Sequence, residues 1–142
     1  MSGACCCWCV AKGGRMSVAL QEQQILVIDD EERITDLLSR QFTVAGFEVA
    51  TVNSASEALI RIEEAVPDLI ILDLRMPGMT GYELCAQLRT LYDRTQLPII
   101  ILTALERSVE ELRCLAVGAN VYLQKPYDAQ ELLETVRDLL QP

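Results

Sequence analysis

The sequence predicts a doubly wound α/β sheet, five parallel strands alternating with five helices. Three observations carry this. Continuous aliphatic runs recur as ILVID (Ile25 to Asp29), LIILD (Leu69 to Asp73) and PIIILT (Pro98 to Thr103), each ending in a polar residue. Unbroken apolar runs of that length suit strands buried on both faces, as a parallel sheet requires. Amphipathic helical patterns fill the intervals, and the strand–helix order never breaks, which implies right-handed crossovers.

Taken in order, ILVID is the first strand. The first helix carries Ile34, Leu37, Leu38, Phe42 and Ala45 as its apolar stripe, and Gly46 stops it. FEVATV (Phe47 to Val52) alternates, so it is an outer strand with one wetter face. Ser54 and Glu57 form a capping-box signature ahead of Ala58, Leu59 and Ile62. After LIILD, a helix following Gly81 presents Leu84, Cys85, Leu88 and Leu91. Beyond PIIILT, Ser108 and Glu111 read as the cap of a helix bearing Leu112 and Leu115 and ending at Gly118. NVYLQK (Asn120 to Lys125) is the second outer strand, and Asp128 opens a last helix striped by Leu132, Leu133, Val136 and Leu140. All these stripes are expected in the core.

Composition narrows the function. In 142 residues, 51% are hydrophobic and 5% aromatic, which describes one globular domain with an aliphatic core. A formal charge of −9 argues against direct contact with nucleic acid or an anionic membrane surface. No apolar run approaches the roughly 20 residues of a membrane helix. With no histidine, imidazole catalysis and imidazole metal ligation are excluded within the chain. Cys5, Cys6, Cys7 and Cys9 are too compressed for the paired spacing of a zinc site. Residues 1–24 read as a disordered, cysteine-rich extension, with Met16 as an alternative translation start, and residues 25–142 as the domain. A cytoplasmic protein without disulfides is expected.

The strand ends hold the chemistry. Ligands of open α/β sheets bind beyond the carboxyl ends of the strands. Asp29 and Asp30, Asp73, Thr103 and Lys125 all fall there, after the first, third, fourth and fifth strands. Singly, each has a structural reading as a cap or a surface residue; their convergence on one edge does not. Two like charges about 4 Å apart repel by roughly 4 kcal/mol at a surface-like dielectric. Three carboxylates in one cleft therefore call for a cation, and an oxygen-only donor set selects Mg²⁺ or Mn²⁺.

VIDDEERI, LIILDLRMPGMTGYEL, PIIILTAL and GANVYLQKPYDAQEL, in this order and spacing, resemble the receiver domain of two-component response regulators over about Ile25 to Leu140. The resemblance implies a flavodoxin-like sheet of order 2-1-3-4-5. It implies that Asp73 accepts a phosphoryl group from a sensor histidine kinase or a histidine phosphotransfer protein. Mg²⁺ would be held by Asp30, Asp73 and the backbone carbonyl of Arg75, with Asp29 acting through water. Lys125 and Thr103 would contact the phosphoryl oxygens, Thr103 and Tyr122 would form the switch, and the peptide before Pro126 would be cis. Pro77, Gly78 and Gly81 would shape the loop after Asp73. The domain would catalyse only its own phosphorylation and dephosphorylation, and would stand alone, acting through a downstream protein target. It would be a monomer or a weak phosphorylation-dependent dimer. Arg75 is charged where many relatives carry a smaller polar residue. Asn120 stands where several DNA-binding subfamilies have an aspartate that pairs with an arginine like Arg137.

Rival readings have specific tests in the sequence. A haloacid-dehalogenase-like phosphatase needs a second aspartate two positions after the first, and Arg75 stands there. A nucleotide-binding module needs a glycine-rich phosphate loop, which is missing. A receiver-like docking scaffold that is never phosphorylated usually lacks the acceptor or the lysine, and this chain has both.

Overall fold

The computed structural model describes residues 23–76, 78–104 and 107–141, with the side chains of 107–110 left out. The N-terminal cysteines, Met16 and Pro77 lie outside the described residues. The five strands are β1 (Gln24–Ile28), β2 (Glu48–Val52), β3 (Leu69–Leu72), β4 (Ile99–Thr103) and β5 (Val121–Gln124). The helices are α1 (Glu32–Val44), α2 (Ala55–Glu64), α3 (Gly81–Arg89), α4 (Arg107–Ala116) and α5 (Ala129–Leu140). All strand pairs are parallel, in the order β2-β1-β3-β4-β5.

Side chains alternate across the strands and divide the core in two. Leu26, Ile28, Ile70, Leu72, Ile99, Ile101 and Tyr122 face one way and pack with Ala58 and Ile62 of α2, Leu84 and Leu88 of α3 and Cys114 of α4. Ile25, Val27, Leu69, Ile71, Ile100 and Leu102 face the other way, against Leu38 and Phe42 of α1 and Leu132 and Val136 of α5. No helix of the described residues is long and apolar enough to cross a membrane.

Four leucines assigned to apolar stripes are exposed: Leu37, Leu91, Leu112 and Leu115. On α1 the buried line runs Thr35, Leu38, Phe42, and Leu37 sits one residue, about 100°, off it. On α4 the anchor is Cys114, fully buried, while Leu112 lies two residues back and is 71% exposed. Leu91 falls beyond the end of α3 at Arg89. Helix α4 opens at Arg107, and the side chain of Ser108, its second residue, lies outside the described residues. The capping pair of α2 holds in a shifted form: Ser54 accepts from the Glu57 amide, but the Glu57 carboxylate accepts from Asn53 rather than from Ser54. A reciprocal capping box at the start of α3, Thr80 with Glu83, was not anticipated, although Thr-x-x-Glu is its sequence signature.

One side chain ties the amino-terminal ends of β4 and β5 together. The Arg89 guanidinium donates to the carbonyls of Gly118 (2.8 Å), Tyr92 (3.3 Å), Asp93 (3.1 Å) and Leu97 (2.8 Å), and to Asn120 Oδ1 (2.9 Å). Asn120 Oδ1 also accepts from the Ile99 amide at 3.1 Å. Asn120 thus ties Arg89 of α3 to the first residue of β4. Gly118, at φ +110°, leaves the space that Arg89 fills.

Candidate functional site

Parallel register brings the predicted strand ends together. Ile28 pairs with Leu72, so the next residues, Asp29 and Asp73, emerge on adjacent strands. The Asp73 amide donates to the Ile28 carbonyl at 3.0 Å, and the Asp29 amide to the Val52 carbonyl at 3.2 Å. On the other side the Lys125 amide donates to the Thr103 carbonyl at 2.7 Å, which holds the lysine beside the end of β4. The Lys125–Pro126 peptide is cis.

Carboxylate oxygens of Asp29, Asp30 and Asp73 lie within 4.8 Å of one another, with Asp29 and Asp73 buried and Asp30 exposed. Lys125 Nζ sits 2.8 Å from Asp29 Oδ2 and 3.8 Å from both Asp73 Oδ2 and Glu31 Oε1. Asp73 Oδ1 accepts from the Arg75 amide at 3.4 Å. An open cleft of about 250 Å³ is lined by Asp30, Glu31, Asp73, Arg75, Ala104 and Lys125. Arg75 is exposed at its mouth. Beneath the loop after Asp73, Gly81 comes so close that an added Cβ would meet the Asp73 carbonyl oxygen at 2.6 Å.

Electrostatics follow from this crowding. Burial, and then the charge of Asp29, push the Asp73 carboxyl above its ordinary pKa, against the opposing pull of Lys125, the Arg75 amide and Thr103. Burial lowers the Lys125 pKa, but the Asp29 hydrogen bond and the charges of Asp73, Asp29 and Glu31 outweigh it, so the net shift is upward. The lysine stays an ammonium, held mainly by Asp29. An all-oxygen set of three carboxylates, one of them resisting ionisation, fits a hard divalent cation that would relieve the repulsion.

The structure brings together Asp29, Asp30, Asp73, Arg75, Thr103 and Lys125, the residues the sequence pointed to, and adds Glu31. Glu31 is one of four consecutive acids, Asp29 to Glu32, and nothing in that run sets it apart in the sequence. Tyr122 is 2% exposed and lies in the core cluster on the α2–α4 side, with Thr103 fully buried on the next strand.

Comparison with known proteins gives one consistent result. The family model of the response regulator receiver domain matches residues 25–137. The phosphate regulon transcriptional regulatory protein PhoB of Rhizobium meliloti is 44% identical over 117 residues, which are 82% of this chain and 52% of that protein. The alkaline phosphatase synthesis transcriptional regulatory protein PhoP of Bacillus subtilis is 37% identical, over 83% of this chain and 48% of its own length. The chain thus spans about half the length of the curated relatives it matches. Among solved structures, a putative response regulator from Chloroflexus aurantiacus superposes with TM-score 0.77 at 35% identity, covering 84% of this chain and 98% of that one. TrrA of Thermotoga maritima, in complex with Mg²⁺–BeF, superposes with TM-score 0.74 at 36% identity, covering 83% and 99%.

Proposed function

Because the chain belongs to the response regulator receiver domain family, we propose that it relays a signal by accepting a phosphoryl group on Asp73. One observation carries the reading. The Asp73 carboxylate lies at the end of β3, within shared ligand reach of Asp29 and Asp30 and 3.8 Å from an ammonium.

The donor is a sensor histidine kinase or a histidine phosphotransfer protein. An Asp73 oxygen attacks phosphorus, and the bond from phosphorus to the donor's imidazole nitrogen breaks. The imidazole leaves with the electron pair and takes up a proton, and an acyl phosphate remains on Asp73. Asp29, Asp30, Asp73 and the backbone carbonyl of Arg75 would hold Mg²⁺ or Mn²⁺, Asp29 through water. Bound there, the cation supplies neutralisation of the charge carried by the transferred group. Lys125 leaves Asp29 to pair with the phosphoryl oxygens. Thr103, at the end of β4 beside Asp73, turns its hydroxyl to one of them.

The signal leaves through Thr103 and Tyr122. The tyrosine is packed among residues of the α2–α4 side, so a shift of Thr103 alters the surroundings of its ring and the seat of α4. That is a two-state element which both phosphorylation and a protein partner can bias. The self-catalysed gain and loss of the phosphoryl group is the domain's whole chemistry, and its output is a changed protein contact.

The test uses a small donor. Incubated with Mg²⁺ and acetyl phosphate, the protein should gain one phosphoryl group by intact mass, and Asp73→Asn should gain none. Labelling of that variant at the wild-type rate would sink the assignment.

A further inference from the structure

Glu31 breaks a local rule at the mouth of the site. It occupies the N-cap of α1, where a short Asp, Asn, Ser or Thr closes the first turn, yet its side chain makes no capping hydrogen bond. Ser54, Thr80 and Asp128, the N-caps of α2, α3 and α5, all accept from backbone amides. Glu31 instead places Oε1 3.8 Å from Lys125 Nζ and lines the cleft beside Asp30 and Asp73. Its backbone amide donates to Asp29 Oδ1 at 3.0 Å, so it is fastened to the carboxylate that holds the lysine. Its side chain is 53% exposed and adds a fourth negative charge to the acidic cluster. Departures from local preference without a stabilising return concentrate at functional sites.

We propose that Glu31 is a charge gate on the phosphoryl site, restraining Lys125 and repelling the incoming group, and so setting how readily Asp73 is loaded. The inference rests on the phospho-acceptor reading above. Before loading, one ammonium serves three carboxylates, closest to Asp29 and equally distant from Glu31 and Asp73. Loading draws that ammonium toward the phosphoryl oxygens. Glu31 then loses part of its counter-charge and faces added negative charge across an open cleft. Both effects oppose loading, and both vanish when the carboxylate is neutralised at constant shape. Glu31 is a positioning residue here, since it acts through Lys125 and through charge.

Beryllofluoride, a stand-in for the phosphoryl group on a carboxylate, is titrated at saturating Mg²⁺ into the 142-residue chain and its Glu31→Gln variant, and melting temperature is followed. Ligand-free melting of both proteins verifies the fold. The variant should bind about three- to fivefold more tightly, the range of a partly exposed charge contact. The difference should shrink as salt rises, because exposed charges are screened. Equal affinities, weaker binding by the variant, or a difference indifferent to salt overturns the gate. Binding by neither protein overturns the phospho-acceptor reading itself, and the gate with it.

Discussion

The two edges of the sheet treat carboxylates in opposite ways. At the amino-terminal edge, Asp68 accepts from the Gln24 amide at 2.6 Å, while its own amide donates to the Gln24 carbonyl at 2.8 Å. Glu48 accepts from the Gln24 side chain, and Gln23 reaches the Leu140 carbonyl at the end of α5. Each of those acids meets a neutral donor. At the carboxyl-terminal edge, Asp29, Asp30, Asp73 and Glu31 crowd around the single ammonium of Lys125. The same strands serve both edges, so the fold does not impose the crowding. One edge closes the structure, and the other crowds negative charge that a hard divalent cation would offset.

That contrast is sharpest in stability. Asp68→Ala strands the buried Gln24 amide, which should cost about 1–3 kcal/mol in urea unfolding. Acetyl phosphate labelling should be untouched. A loss of labelling together with stability would dissolve the division between the edges.

Asp30→Asn probes the opposite edge. Removing one of the clustered charges should raise the metal-free melting temperature slightly. It should also abolish the stabilisation by Mg²⁺, which for one site at ten times Kd is about 1.4 kcal/mol. Retention of the full Mg²⁺ response would take Asp30 out of the metal set.

The smallest effect is in pH. Asp73 titrates above its unfolded value, so the folded, metal-free protein binds that proton more tightly than the unfolded chain does. Its contribution is therefore fully present below the ordinary carboxylate range and is lost as pH rises through the raised pKa. The slope from this one group is at most about 1.4 kcal/mol per pH unit. Relative to Asp73→Asn, the wild type should lose stability across that window, and parallel stability–pH curves would break the account.

Much of this was legible in the sequence because parallel strands announce themselves. ILVID and LIILD are apolar on both faces and stop at an acid, so fold and site came from the same residues. The edge strands β2 and β5 were equally readable from their alternation. Helix faces were less so. Leu37 and Leu112 have the right chemistry for a core stripe, but hydropathy does not distinguish a leucine from Thr35 or Cys114 as the residue that points inward. The role of Asn120 was not legible, because its partners Arg89 and Ile99 are 31 and 21 residues away, beyond the reach of local pattern. Glu31 was hidden among its neighbours, and only the missing cap singles it out.

During synthesis, Arg89 leaves the ribosome well before its last two partners do. The carbonyls of Tyr92, Asp93 and Leu97 follow within eight residues, whereas Gly118 and Asn120 come 29 and 31 positions later. Until then the Ile99 amide also lacks its acceptor, and the α3–β4 segment has no anchor on the far side. Contacts of such separation form late, once the intervening chain can close the loop. Lys125 emerges only five residues after Asn120, just past the strand whose arrival completes the clasp. A nascent chain therefore presents its carboxylates first and its ammonium last, so the repulsion at the sheet edge goes unbalanced until the scaffold that must withstand it has been locked.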